Sequence, residues 1–155
     1  MATHLQQHPH STAQTGGHPI HPMLIPFPIA FFVGTLVTDI VLAATGDPFW
    51  ARMSFYLICA GLVMAALAAL AGLTDFLGDR LLRQHSTAWH HMLGNVGVVV
   101  VEIVSLIVRR GPHNPDVLPW GLILSIVVTL LLLYTGWLGG KLVFRIHSGI
   151  SDLPE

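Results

Sequence analysis

Apolar residues occur in four long stretches along the chain, and short polar segments separate them. Each stretch is long enough for a transmembrane helix, which needs about 20 mostly apolar residues. A transmembrane barrel would instead show segments of about 10 residues with alternating polarity. Because the connections are short, sequential helices should be antiparallel neighbours. The pattern predicts an all-α protein, a four-helix transmembrane bundle in up-down-up-down order with both termini on the same side, and with spans at about 23–44, 53–76, 88–108 and 118–143.

Composition agrees with this class of protein. Charged residues make up 10% of the 155 residues, and hydrophobic residues make up 53%. Ordinary soluble domains have about 25% charged residues. The lipid bilayer is therefore the expected solvent and first partner of the chain. A basic patch of the kind that binds nucleic acid is missing from the sequence, so we expect no nucleic-acid partner.

The N-terminal residues differ from the rest of the chain. They are polar, contain no Lys or Arg, and include His4, His8 and His10. A signal peptide would need a basic segment followed directly by an apolar core. We therefore predict a retained, flexible, histidine-containing tail over 1–17 and a four-helix membrane domain over 18–155. Histidine-rich tracts bind metals in some proteins, but the absence of an ordered ligand spacing here favours an unstructured leader.

Basic residues near the span ends bear on orientation. We call side A the membrane face with both termini and the loop between the second and third spans, and side B the opposite face. The positive-inside rule places the more basic face in the cytoplasm. The count is four against three and favours cytoplasmic termini, with Arg80, Arg83, Lys141 and Arg145 on side A and Arg52, Arg109 and Arg110 on side B.

Small residues recur at helical spacing in the second and fourth spans. They include Gly61 and Gly72 in the second span and Gly136, Gly139 and Gly140 in the fourth. Small residues let helix backbones approach closely within lipid. They serve either packing inside the bundle or a contact between subunits, so a homo-oligomer formed through these faces is one alternative.

Polar residues inside the spans should face the bundle interior, because polar groups in contact with lipid are costly. At about 100° per residue, His91, Asn95 and Glu102 share one stripe of the third helix. Asp39 lies on the same stripe of the first helix as His21. Asp39 and Glu102 have two interpretations: a proton or cation route, or an internal hydrogen-bonded pair or capped helix end.

Histidines at side A are the candidate ligands. His21 and His91 stand at the starts of the first and third spans, so they are the predicted cofactor-binding residues for haem iron. For a divalent metal, the predicted ligands are His18, His21, Asp75 and His91. Asp75 could instead accept a hydrogen bond from an imidazole. The alternative for each histidine is an interfacial side chain with no ligand.

Several motifs in a fixed order resemble a bacterial family of membrane proteins, the one designated domain of unknown function 2231. The resemblance covers nearly everything after the tail, and it implies four helices in a bacterial inner membrane and no established activity. Some relatives resemble fusions with a Rieske-type iron–sulfur domain, which implies a redox partner. The motifs are Gly-His-Pro-Ile-His-Pro-Met-Leu-Ile-Pro-Phe-Pro-Ile-Ala at 17–30, Gly-Asp-Pro-Phe-Trp-Ala-Arg at 46–52, Gly-Leu-Thr-Asp-Phe-Leu at 72–77, His91 with Gly94-Asn95, and Thr-Gly-Trp-Leu-Gly-Gly-Lys-Leu-Val-Phe-Arg at 135–145.

The family pattern is carried over residue by residue. The matching positions with chemistry are His18, His21, Asp75, His91 and Asn95. The chain departs from the pattern near its end. The family often has Glu at position 141, where this chain has Lys, and Arg-His at 145–146, where it has Arg-Ile. That departure weakens any role for the histidine at position 147.

Three functions remain open from the sequence. The sequence favours a non-enzymatic structural or partner-binding membrane subunit. The alternatives are a b-type haem protein for electron transfer and a protein that binds or transports a divalent metal. We expect no enzymatic activity, because the chain has no nucleophile elbow, phosphate loop or thiolate site.

Overall fold

Four long helices form a bundle in the computed structural model, which describes residues 11–112 and 117–145. The candidate spans are Ile20–Thr45, Pro48–Gly78, Ser86–Arg109 and Trp120–Phe144, each long and apolar enough to cross a membrane. The predicted all-α fold with four membrane helices is confirmed. The elements are β1 Gln14–Thr15, β2 His18–Pro19, α1 Ile20–Leu24, α2 Pro26–Thr45, α3 Pro48–Gly78, α4 Arg80–Gln84, α5 Ser86–Arg109 and α6 Trp120–Phe144.

Local sequence explains where the first helices begin and end. The first span is divided at Ile25, and α2 begins with Pro26, whose ring has no N–H to leave unsatisfied. Gly46 ends α2 in the left-handed region at φ 68°. Asp47 then caps α3, because its side chain accepts a hydrogen bond from the backbone N–H of Phe49 at 2.9 Å.

Contacts between helices establish the alternating order. The ring of Phe32 in α2 packs on Gly61 in α3, where a Cβ atom would overlap it. Thr135 in α6 packs in the same way on Gly94 in α5. The pairs His21–His91 and Asp39–Arg109 place α1 and α2 alongside α5 in the same direction. The helices therefore run up, down, up and down, and both ends of the described chain lie at side A.

Three groups of buried apolar residues fill the interior from one side to the other. The side A group includes Phe76 and Leu142, the central group Phe32 and Val128, and the side B group Leu42. Large apolar side chains also cover the outside of the bundle, including Ile107 and Leu133 at 68% exposure each. An outer surface of this kind fits a lipid bilayer, in which apolar side chains need no burial by protein.

The segment before the first helix is folded where the structure describes it. Residues 14–19 form a two-stranded antiparallel hairpin, in which Gln14 pairs with Pro19 and Thr15 with His18. Two glycines supply the positive φ values of its turn. The polar composition that predicted a flexible tail over 1–17 did not predict this hairpin. His4, His8 and His10 lie outside the described residues, as do the histidines at 113 and 147.

Candidate functional site: polar clusters at the two ends of the bundle

A bidentate ion pair lies inside the bundle near side B. Nη2 of Arg109 is 2.6 Å from Oδ2 of Asp39, and Nη1 is 2.9 Å from Oδ1. Both side chains are 0% exposed. Two parallel charge-assisted hydrogen bonds are the strong form of an Arg–carboxylate contact. Asp39 was predicted to face the interior, and here its charge is matched by a cation on α5.

Hydroxyl groups from the other helices complete this ion pair. Ser54 donates to Oδ1 of Asp39 at 2.6 Å, and Ser125 donates to Oδ2 at 2.5 Å. Nε of Arg109 donates to Ser105 at 3.3 Å. The group, which we call the side B network, therefore joins all four spanning helices. Its members are Thr38 and Asp39 on α2, Ser54 on α3, Ser105 and Arg109 on α5, and Ser125 on α6.

The position of Arg109 corrects the sequence analysis, which counted it as a basic residue of the side B surface. The structure buries it completely. A signal for this was present, because Glu102, Ser105 and Arg109 continue the stripe of His91 and Asn95 at spacings of three and four. An Arg on an interior stripe of a membrane helix needs an acidic partner, and Asp39, near the same membrane face, was a candidate.

Glu102 lies on the same face of α5 as Arg109, nearer the middle of the membrane. Its side chain is 1% exposed, and Oε1 has no hydrogen-bond partner among the described residues. Seven residues of helix separate it from Arg109 by about 10 Å along the axis. The predicted interior stripe is therefore present, but Glu102 is not part of the side B network.

At side A the structure brings His21 and His91 together. Their ring centroids are 6.3 Å apart, and the ring planes are nearly perpendicular at 89°. Nδ1 of His21 is 2.7 Å from the carbonyl oxygen of Ala68 on α3. Nδ1 of His91 is 2.9 Å from the carbonyl oxygen of Thr135 on α6. A carbonyl oxygen only accepts, so each Nδ1 carries the proton and donates it.

Glycines on the neighbouring helices make room for both rings. A Cβ atom at Gly72 would lie 2.7 Å from Nδ1 of His21, and one at Gly139 would lie 3.1 Å from Cε1 of His91. Nδ2 of Asn95 donates to the carbonyl oxygen of His91 at 2.8 Å and lies 3.3 Å from its Nε2. Two of the small residues found in the sequence therefore serve to hold the imidazoles.

Asp75 has a different partner from the one predicted. Its Oδ1 accepts from the backbone N–H groups of Thr12 and Ala13, both at 2.7 Å, and from the hydroxyl of Ser11 at 2.9 Å. The carboxylate thus holds the N-terminal segment against the end of α3. An exposed histidine, His18, lies in the adjacent hairpin.

The four predicted metal ligands are not gathered into one group. Within residues 11–112 and 117–145, no group of three or more His, Cys, Asp or Glu side chains is placed to hold a metal ion. Oδ1 of Asp75 accepts from the N-terminal segment, and its joining the histidines around a metal stays a prediction. His21 and His91 remain together without it.

Two glycines of α6 have open space beside them in the part of the chain that the structure describes. A Cβ atom at Gly136 or at Gly140 would meet nothing within 4 Å among the described residues. Gly139, by contrast, contacts the ring of His91. The fourth span therefore packs Gly139 inside the bundle, as it does Gly121 beside Arg109, and leaves a Gly-xxx-Gly pair on its outer face.

Comparison with known proteins gives one match. The model of a family described as predicted membrane protein (DUF2231) matches residues 17–152. Searches of curated proteins and of solved structures find no match. The match covers both polar clusters and all four spans, and it agrees with the architecture described above. The chain therefore belongs to the DUF2231 family of predicted membrane proteins.

Proposed function

We propose that this protein is a non-enzymatic membrane subunit with a structural or partner-binding role. The observation that carries the proposal is the closed side B network. Charged groups that move protons or ions through a membrane line a water-filled path. Asp39 and Arg109 are both 0% exposed and bind each other. Their position supports a role in joining helices.

A partner surface is supported by the outer face of α6. Gly136 and Gly140 lie four residues apart on one side of that helix, with open space beside them. Small residues at this spacing allow close packing of two helices in lipid. A second copy of the chain can supply the matching face, because a two-fold dimer places the same patch on both subunits.

The count of basic surface residues also changes once Arg109 is assigned to the interior. Side A keeps its four basic residues, whereas side B keeps two of its three. The positive-inside rule then supports cytoplasmic termini more strongly than the sequence count did. We propose this orientation in a bacterial inner membrane.

Photo-crosslinking in lipid bilayers tests the subunit proposal. A photoreactive residue at Leu133, on the face of Gly136 and Gly140, should give an adduct of twice the 16.8 kDa chain mass. The matched control is Val63 on α3, which is 62% exposed and should give none. The Gly136→Leu/Gly140→Leu variant should lose the Leu133 adduct, because leucine side chains keep the backbones apart. Equal adducts from both positions, or none from Leu133, would contradict the proposal.

A further inference from the structure

We propose that His21 and His91 are the two protein ligands of a haem iron at side A of the bundle. This inference does not depend on the dimer proposed above. A haem at this position would give the proposed subunit a redox centre. The observation that supports it is a pair of neighbouring imidazoles, one from α1 and one from α5, each of which donates through Nδ1 to a backbone carbonyl.

The Nδ1 hydrogen bonds determine which ring nitrogen can bind a metal. Because the carbonyl oxygens of Ala68 and Thr135 accept from Nδ1–H, the lone pair of each neutral ring is at Nε2. An imidazole whose other N–H donates to a backbone carbonyl is the usual form of a metal-binding histidine, since that bond sets the tautomer and the ring orientation. At His91 a bond from Nε2 to the metal would replace the long 3.3 Å contact between Nε2 and Nδ2 of Asn95.

The separation of the rings suits coordination of one metal ion from two sides. Metal–imidazole bonds of about 2 Å, added to the radius of each ring, put two opposed ring centroids about 6 Å apart. The observed separation is 6.3 Å. Edge-to-face rings without a metal cover a range of about 4.5–7 Å, which includes this value. The spacing is therefore informative only together with the two carbonyl bonds, which place the lone pair of each neutral ring at Nε2.

The number of ligands favours haem over a bare ion. Structural zinc sites take four protein ligands, and no third His, Cys, Asp or Glu joins the pair within the described parts of the chain. Haem iron already has four porphyrin nitrogens and needs only axial ligands from the protein. The imidazoles of His21 and His91 would supply those two ligands.

The two rings are held by different neighbouring helices. His21 is held by α3, through Ala68 and Gly72, whereas His91 is held by α6, through Thr135 and Gly139. A group between the rings therefore lies where α1 and α3 meet α5 and α6. The side B network holds the opposite ends of the same helices together.

The experiment is hemin titration of the full-length protein in detergent, with protein produced in haem-supplemented cells as a second sample. We expect one haem per chain, with a Soret band and a reduced spectrum typical of two histidine ligands. His21→Ala and His91→Ala should each weaken hemin binding by at least about tenfold, since loss of outer-shell partners alone costs 10–100-fold. The matched control is His90→Ala, because His90 is exposed, adjacent in sequence, and bonds to the carbonyl of Ser86 on its own helix.

Two further measurements separate ligation from folding. Circular dichroism and gel filtration establish whether the alanine variants keep the helical bundle. His21→Met and His91→Met offer a thioether as replacement ligand, and each should retain haem with a shifted spectrum and a raised reduction potential. A histidine with only a structural role would not produce that shift.

Three results would overturn the proposal. Equal hemin binding by the wild type and both alanine variants would remove the histidines as ligands. A stoichiometric bare metal ion without a Soret band, lost in both variants, would assign the pair to an ion instead of haem. Neither chromophore nor metal after supplementation would leave the rings as an edge-to-face packing contact.

Discussion

Breaking the Asp39–Arg109 pair tests how the bundle is held together. Arg109→Met removes the guanidinium and leaves Asp39 buried with its two serine donors only. Asp39→Leu leaves Arg109 buried with Ser105, Ser125 and the carbonyl of Gly121. Removal of one partner from a buried ion pair costs about 3–5 kcal/mol, because the other charge stays buried without compensation. We expect each single variant to lose that much stability.

The double variant Asp39→Leu/Arg109→Met should be close to the wild type. Replacement of both members by apolar residues of similar volume is often neutral or stabilising. Each serine keeps an acceptor after the change, because its single O–H can then donate to a carbonyl of its own helix: that of Trp50, 3.1 Å from Ser54, and that of Gly121, 3.0 Å from Ser125. The coupling energy of the cycle should therefore exceed the roughly 0.5 kcal/mol within which independent sites add.

Reversible unfolding in mixed micelles, followed by circular dichroism, supplies the four free energies of unfolding. The control is Arg110→Met, because Arg110 is the next residue along the chain and is exposed. It should change stability by less than about 0.5 kcal/mol. Single variants as stable as this control, or a double variant as unstable as the sum of the singles, would refute the view that the pair acts as a buried unit.

Other predictions concern side A and the chain ends. Gly72→Ala should lower stability by about 1–3 kcal/mol, because its methyl would overlap the imidazole beside it; Gly97→Ala, with nothing within 4 Å, should not lower it in the same unfolding assay. Asp75→Ala should release residues 11–13, which amide hydrogen exchange would detect as faster exchange there. The control Asp47→Ala should leave that exchange unchanged. Slow exchange in both variants would refute the role of the Asp75 carboxylate as an anchor. Reporter fusions at the two ends should both be cytoplasmic, and a periplasmic signal at either end would refute the orientation.

Part of the candidate site followed from the sequence. His21 and His91 were predicted at the same depth because spans one and three run parallel, and the structure places their rings 6.3 Å apart. Helical periodicity also predicted that Asp39 and Glu102 face the interior, and both are buried. These predictions needed only the direction of each helix and its 3.6-residue period, which are local properties.

Other assignments needed distances between helices. Arg109 was counted at the surface because it stands at the end of a span, but rotation and depth of α5 bring it to Asp39. Asp75 was assigned to the histidines, but in the structure its carboxylate accepts hydrogen bonds from the folded N-terminal segment. A side chain's partner depends on which helix lies opposite and in what register, and neither is encoded in one helix alone.

The sequence by itself determined that this chain is a four-span membrane protein, because hydropathy over about 20 residues decides whether a helix enters lipid. It also predicted that Asp39 and Glu102 avoid the lipid. Only the tertiary structure decided which polar groups meet. Gly136 and Gly140 illustrate this, since they resemble Gly139 in sequence but lie on the outer face of α6. The physical reason is that insertion depends on the composition of each segment, whereas pairing depends on how several segments pack together.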